Sequence, residues 1–199
     1  MQSSWWVERQ SNGGGKLVLR QKSVAEPGAG QLRVKIRVVS LNHLDLWVRK
    51  GVEGHTFPLP LIGGCDAAVE IDKLGPDQPT DFVGQVGDRG LVYPVVSCGE
   101  CKKCLSNRPE CCSKFGILGE TQDGFLSETQ IIRSQDFIAL PGHSSLSLKQ
   151  WACLPIAGVT AWSLIERESG LQEGDWILVH AAGSGVSHFA MALAKARGA

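Results

Sequence analysis

"SCGECKKCLSNRPECCSK", residues 97–114, holds five of the seven cysteines in this 199-residue chain. Four of them follow the spacing Cys98-x2-Cys101-x2-Cys104-x7-Cys112, with Cys111 as an extra thiol beside the last. Four thiolates in so short a loop can close a tetrahedron around one zinc ion. A bacterial iron–sulfur run needs its fourth cysteine four positions after the third and a proline after that. Here the fourth is further away and Ser113 follows it. A thioredoxin-like pair would open a helix beside a βαβ unit, and "SCGEC" has no such context. A loop whose thiols bind nothing is the remaining alternative. A four-thiolate zinc offers substrate no open position, so it braces a loop and performs no chemistry. Spacing alone leaves Cys111 and Cys112 both eligible as the fourth ligand.

The flanks of this loop read as short strands separated by Gly and Pro. Residues 1–30 predict an opening strand pair, with "GGG" at 13–15 as a hairpin tip. "LRVKIRVVS" alternates cleanly, placing Leu32, Val34, Ile36 and Val38 on one face and Arg33, Lys35 and Arg37 on the other. "LNHLDLWVRKG" predicts a short helix or turn stopped by Gly51. A strand is expected through Ala68–Ile71, another in "VGDRGLVYPVV", and further short ones in "GFLSETQIIRSQDFIALP". Many short strands of this kind indicate a β-rich, barrel-like unit.

The pattern changes near residue 155. Pro155 can open a helix over "PIAGVTAWSLIERES". "WILVHAA", residues 176–182, predicts a strand buried on both faces. "GSGVSHFAMALAKARGA" predicts a helix with Val186, Phe189, Ala190, Leu193 and Ala194 on one face and Gly198 as its stop. A strand, a small-residue turn and a helix are the context of a dinucleotide phosphate site. Gly183 and Gly185 are expected to give the tight turn. Free N–H groups and the positive dipole end of the helix would hold the pyrophosphate. A purely structural βα turn is the competing reading. Ser187 stands where the last glycine of the fingerprint would be.

Composition narrows the class. The chain is 43% hydrophobic and 20% charged, as ordinary globular proteins are. Twenty basic and twenty acidic side chains cancel, which argues against nucleic acid or an anionic membrane as a bulk partner. The first ten residues lack a signal-peptide pattern, and no apolar run reaches the roughly 18 residues of a membrane helix. The cytoplasm, with reduced thiols, is the expected compartment.

Seven motifs in order resemble the medium-chain dehydrogenase/reductase superfamily, in its zinc-containing alcohol dehydrogenase-like and quinone reductase-like branch. They are "SLNHLDLWVRKG", "PLIGGCDAAVEIDKLG", "VGDRGLVYP", "CGECKKCLSNRPECC", "GILGETQDGFLSE", "LPIAGVTAW" and "ILVHAAGSGVS". The resemblance runs from about residue 16 to the end. It implies an α+β then α/β chain: a GroES-like β-barrel domain at 1–154, followed by the first βα unit of a Rossmann domain at 155–199. It also selects Cys112 over Cys111 as the fourth ligand of a structural Zn2+. His43 matches a position that contacts the cofactor pyrophosphate, and Thr160 one that packs on the nicotinamide. Gly183, Ser184, Gly185 and Val186 match the phosphate turn.

The departures from that family concern catalysis. Where catalytic-zinc members carry a cysteine ligand, this chain has Asn42, and the proton-relaying Ser or Thr two residues on is Leu44. The Gly-His-Glu of the family corresponds to Gly64-Cys65-Asp66. The third ligand corresponds to Ile156. A Lewis-acid zinc needs about three good ligands and one open position. The resemblance therefore implies an NAD(P)H-dependent reductase of a carbonyl, quinone or enone, working without a catalytic zinc, with Asn42, Cys65 and Asp66 at the old metal site. Cys65 is expected to be a packed small residue, Asp66 a solvated or hydrogen-bonded acid, and Asp45, His55 and Tyr93 candidates to line a substrate cleft. The alternatives are a non-catalytic zinc-stapled binding module and a zinc-dependent alcohol dehydrogenase. Small-molecule substrates are expected, with a homo-oligomer for the full-length protein. The chain reads as a fragment of one about twice as long, and these 199 residues alone are expected to be inactive and to bind dinucleotide weakly or not at all.

Overall fold

The computed structural model describes residues 1–10 and 14–199. They divide into two compact units, Met1–Ala152 and Cys153–Ala199. Gly13, the first residue of the expected hairpin tip, lies outside the described residues.

The first unit runs β1 (Gln2–Arg9), β2 (Gly15–Lys22), β3 (Gln31–Ser40), α1 (His43–Lys50), β4 (Leu61–Ile62), β5 (Asp66–Leu74), β6 (Arg89–Val92) and β7 (Val95–Val96). It continues through α2 (Lys102–Leu105), β8 (Gly116–Ile117), β9 (Thr129–Arg133), β10 (Phe137–Ala139) and α3 (Leu148–Ala152). The sheets are ordered β2-β1-β4, β10-β6-β5-β3-β9 and β7-β8. All these pairs are antiparallel, as expected where hairpins and short turns connect successive strands. The opening strand pair is present, in unbroken register from Gln2↔Lys22 to Arg9↔Gly15.

The main core lies on one face of the five-stranded sheet. Leu32, Val34, Ala67, Val69, Ile71, Val92, Phe125 and Ile132 are buried together there. Burial of each larger side chain contributes about 1.5–3 kcal/mol. The alternation read for β3 holds for Leu32, Val34 and Ile36. It then shifts, because a register irregularity falls between Ile36 and Val38. Val39, not Val38, packs against the core beyond it. The opposite face carries the charges. Arg33 Nε and Lys35 Nζ reach Asp72 at 2.5 and 2.6 Å, and Arg37 Nη2 reaches Glu70 at 2.8 Å. A second cluster packs α1 onto the first sheet, with Val48 buried against Val7, Phe57 and Leu61.

The second unit holds α4 (Pro155–Trp162), a π-helical turn at Ser163–Glu168 and α5 (Gly185–Ala196). Pro155 occupies the first helical position, where its missing N–H costs nothing. On α5, Ala190 and Ala194 are buried, and Val186, Phe189 and Leu193 pack beside them, against Ala161 and Ile165. Gly198 adopts the left-handed φ of 84° just past the helix. The expected strand at 176–182 is overturned. These residues form no ladder, and Trp176 and Leu178 are 99% and 81% exposed. A strand exists by pairing, and this segment pairs with none of the described strands.

The charged face sets an acid limb. Lys35 first, then Arg33, hold the Asp72 carboxyl below its usual range against the opposing effect of burial. A depressed carboxylate stabilises the fold above its unfolded pKa of about 3.9, and the gain is lost as pH falls through the folded value. Urea midpoints measured from pH 6 down to pH 2 should therefore fall less steeply for Asp72→Asn than for the parent chain.

Candidate metal centre and hydrogen-bonded polar cluster

The cysteine loop has little to bury, and α2 contains no buried residue. Its order comes from sulfur. The Sγ atoms of Cys98, Cys101, Cys104 and Cys112 all lie within 4.8 Å of one another. Four of the separations are 3.5 Å (Cys101–Cys104), 3.5 Å (Cys98–Cys112), 3.8 Å (Cys98–Cys104) and 3.9 Å (Cys101–Cys112). Zinc–sulfur bonds of ~2.3 Å imply tetrahedral edges of about 3.8 Å, so the four sulfurs already stand at the corners such an ion requires. Cys111 is exposed and faces the Arg108 guanidinium at 3.9 Å. Backbone N–H groups support the sulfurs: Cys101 donates to Cys98 at 3.4 Å and Lys114 to Cys112 at 3.3 Å. Donors of this kind, from Glu100 and Cys101, pull the Cys98 thiol down to about 6, while burial leads in pushing Cys104 up to about 11.

A second polar cluster joins the start of α1 to the start of β5. Asn42 is the N-cap of α1, and its backbone N–H donates to Asp45 Oδ2 at 2.7 Å. Its side-chain amide donates to Asp66 Oδ2 at 2.8 Å and to Cys65 Sγ at 3.3 Å. The Cys65 thiol donates to Asp45 Oδ2 at 3.7 Å, and the Gly64 N–H to Asp45 Oδ1 at 3.1 Å. Cys65 and Asp66 are both fully buried. Burial, then the charges of Asp45 and Asp66, push the Cys65 thiol well above its ordinary value. Burial likewise raises Asp45, opposed by the N–H groups of Asn42 and Gly64. Asp66 is thus a buried, hydrogen-bonded acid, and Cys65 a buried thiol that faces Asp45.

Glycines put these two residues in place. Gly64 takes a φ of 88°, a region that favours glycine. Main chain from residues 119–126 crosses directly over it. Gly124 N donates to Ile62 O at 2.7 Å, Phe125 N to Gly64 O at 2.9 Å and Leu126 N to Gly63 O at 2.9 Å. A Cβ on Gly124 would stand 2.1 Å from Gly64 O, and one on Gly119 2.7 Å from the same atom. The "GILGETQDGF" glycines carried this signal in the sequence, but only the fold shows what they touch. Glu120 in the same loop is half-buried. Burial raises its carboxyl, and the His55 charge opposes that.

The remaining predicted residues fall as follows. His43, the first residue of α1, is exposed and lies 6.3 Å from the Trp47 ring. Leu44 packs with the α1 cluster. His55 is exposed, edge-on to Phe57. Tyr93 is half-buried and its N–H donates to Asp136 O at 2.8 Å. In the second unit, Thr160 is exposed on α4 and Ile156 is half-buried. The glycine turn differs from expectation, because the left-handed residue is Ala181, with φ 52°, and neither Gly183 nor Gly185. Ala181 O accepts from Ser184 N at 2.8 Å and thereby closes the turn. Gly183 has open space where a Cβ would be, and Gly185 meets Ala157 of α4 at 3.4 Å. Ser184 caps α5 by accepting from Ser187 N at 3.1 Å. The Ser187 hydroxyl donates to His180 O at 2.7 Å, a bond the fingerprint glycine would not make. The N–H groups of Gly185 and Val186 precede the first intrahelical bond, as an anion site requires.

A small antiparallel barrel, a four-sulfur loop and a glycine turn capping a helix, in that order, define a chain of the alcohol dehydrogenase type. Residues 28–142 match the alcohol dehydrogenase GroES-like domain. An alcohol dehydrogenase of Schizosaccharomyces pombe is 31% identical over 174 residues, 87% of this chain and 48% of that protein. One from Geobacillus stearothermophilus is 30% identical over 186 residues, 92% of this chain and 53% of that protein. The crystal structure of an NAD-dependent alcohol dehydrogenase aligns with a TM-score of 0.88 at 35% identity, covering 100% of this chain and 56% of that one. The chain belongs to the medium-chain dehydrogenase/reductase superfamily, in its zinc alcohol dehydrogenase-like branch, through its GroES-like domain. It spans about half the length of the relatives it matches.

The glycine crossing makes a direct claim about stability. Gly124→Ala forces a Cβ into main chain that cannot move aside, and should cost at least ~2 kcal/mol. Gly142→Ala, with open space around it, serves as the control and should be near neutral. Denaturant midpoints of the two variants provide the comparison.

Proposed function

We propose that this chain supplies the GroES-like domain and the first phosphate-binding turn of an NAD(P)(H)-dependent oxidoreductase that reduces a conjugated carbonyl, quinone or enone without a catalytic zinc. The observation that carries the reading is the cluster at Asn42, Cys65 and Asp66, in which the Asn42 amide donates to Asp66 and Cys65 while the Cys65 thiol donates to Asp45. An alcohol loses its proton readily only where something stabilises the alkoxide, and Asn42 and Ile156 are poor ligands for a metal that would do so. A conjugated acceptor needs less help, because its own π-system spreads the incoming charge and orientation supplies most of the rest.

Ser184, Gly185 and Val186 are the residues that would hold the cofactor's pyrophosphate, and Thr160 of the same unit is exposed on α4. The nicotinamide supplies the hydride when bound. Cys98, Cys101, Cys104 and Cys112 would hold one Zn2+, closed to substrate, whose binding energy orders a loop that burial cannot order. The whole protein is proposed to act in the cytoplasm on small molecules, as a homo-oligomer.

Removing zinc with a strong chelator should lower the melting temperature by on the order of 10 °C. Cys104→Ser should reproduce that loss, and Cys111→Ser should not. Function is tested by NADH or NADPH oxidation with enones and quinones, using the protein that carries this chain. Turnover of these acceptors that persists in the protein holding one zinc per chain is the expected result. Oxidation of simple alcohols that requires a second zinc would overturn the proposal.

A further inference from the structure

The cluster around Asn42 has a feature that goes deeper than the absence of good ligands, and it rests on the metal-free reading just proposed. Two acceptors, the Asp66 carboxylate and the Cys65 sulfur, face the same side-chain amide at 2.8 and 3.3 Å. Both need a donor, so the amide must present its NH2 group to them and its carbonyl oxygen elsewhere. The centre of the cluster therefore receives hydrogens from Asn42 and no lone pair. The thiol proton of Cys65 is committed to Asp45 Oδ2, which also takes the Asn42 backbone N–H. Asp45 Oδ1 is held by Gly64 N–H.

A divalent cation entering this place would meet the positive edge of the amide. Admitting it requires the amide to turn over, giving up its bonds to both Asp66 and Cys65, and requires Cys65 to lose its proton. Cys65 and Asp66 are fully buried, where giving up a hydrogen bond is costly, and Asn42 and Asp45 are half-buried beside them. We propose that Asn42 is a metal-excluding hub: a positioning residue that stands in for the ion, ties α1 to β5 through Asp45, Cys65 and Asp66, and keeps divalent metals out of the site.

Cobalt(II) titration of the zinc-free chain, followed by visible absorption, tests this without any substrate. The parent chain should saturate at one equivalent with the spectrum of a four-thiolate site. The variant combining Asn42→Cys, Cys65→His and Asp66→Glu removes the hub and supplies three ligands, and should take two equivalents. A second equivalent in the parent, lost in Asn42→Ala while the first remains, would overturn the proposal. So would a folded triple variant that stops at one. If the triple variant does not fold, NMR of the zinc-loaded parent decides. The Asn42 side-chain amide protons should stay unshifted when further Zn2+ is added, and a shift or broadening of those signals would refute the hub. Failure of enone or quinone turnover would sink the functional reading alone, because the ion count does not depend on it.

Discussion

Three stretches of main chain touch at Gly64, and much of the first unit is arranged by that contact. The carbonyl oxygens of Ile62, Gly63 and Gly64 each accept an N–H from residues 124–126. Gly119 approaches the same place from the other end of its loop. Main chain can come this close only where side chains are missing, so the glycines are a steric necessity. The crossing fixes the direction in which β5 leaves. It thereby places Cys65 and Asp66 beneath the start of α1. It also anchors the segment that follows the cysteine loop, since β8 begins at Gly116 and pairs back onto β7. The polar cluster and the four-sulfur loop are thus held to one frame by backbone contact.

Local order was legible in the sequence wherever local pattern determines it. The alternation of β3, the Gly51 stop of α1, Pro155 and the apolar face of α5 each depend on neighbours within a few residues. The four sulfurs belong to the same class, because fifteen residues of chain bring them together. The apolar pattern of 176–182 was read correctly and still gave the wrong element. Pattern says which faces want burial, and pairing requires strands that periodicity cannot supply. The shift from Val38 to Val39 has a similar origin, since the irregularity that moves it is set by how β3 meets β5.

Asn42, Asp45, Cys65 and Asp66 show the opposite limit. Their residue types signalled a departure from a metal site, but not what replaced it. That depends on distances between segments more than twenty residues apart, fixed by the glycine crossing. Asp45, a cleft candidate in the sequence, is the acceptor that both the Asn42 N–H and the Cys65 thiol reach. Ala181 makes the same point in the second unit. A motif reading assigns the turn to the glycines, whereas the backbone puts the left-handed residue two positions earlier and leaves Gly185 to let α5 approach α4.

The two polar centres also differ in how they respond to change. In the cysteine loop each sulfur has the other three as neighbours and little hydrophobic packing behind it, so an ion held there would brace the loop. In the Asn42 cluster the hydrogen-bond partners are protein groups, with Cys65 and Asp66 fully buried and Asn42 and Asp45 half-buried. Loss of an ion from the first leaves four thiols repelling or bonding one another at a distance the ion would set. The first centre asks for an ion to satisfy its four sulfurs, whereas the hydrogen bonds of the second are made by protein groups already within reach.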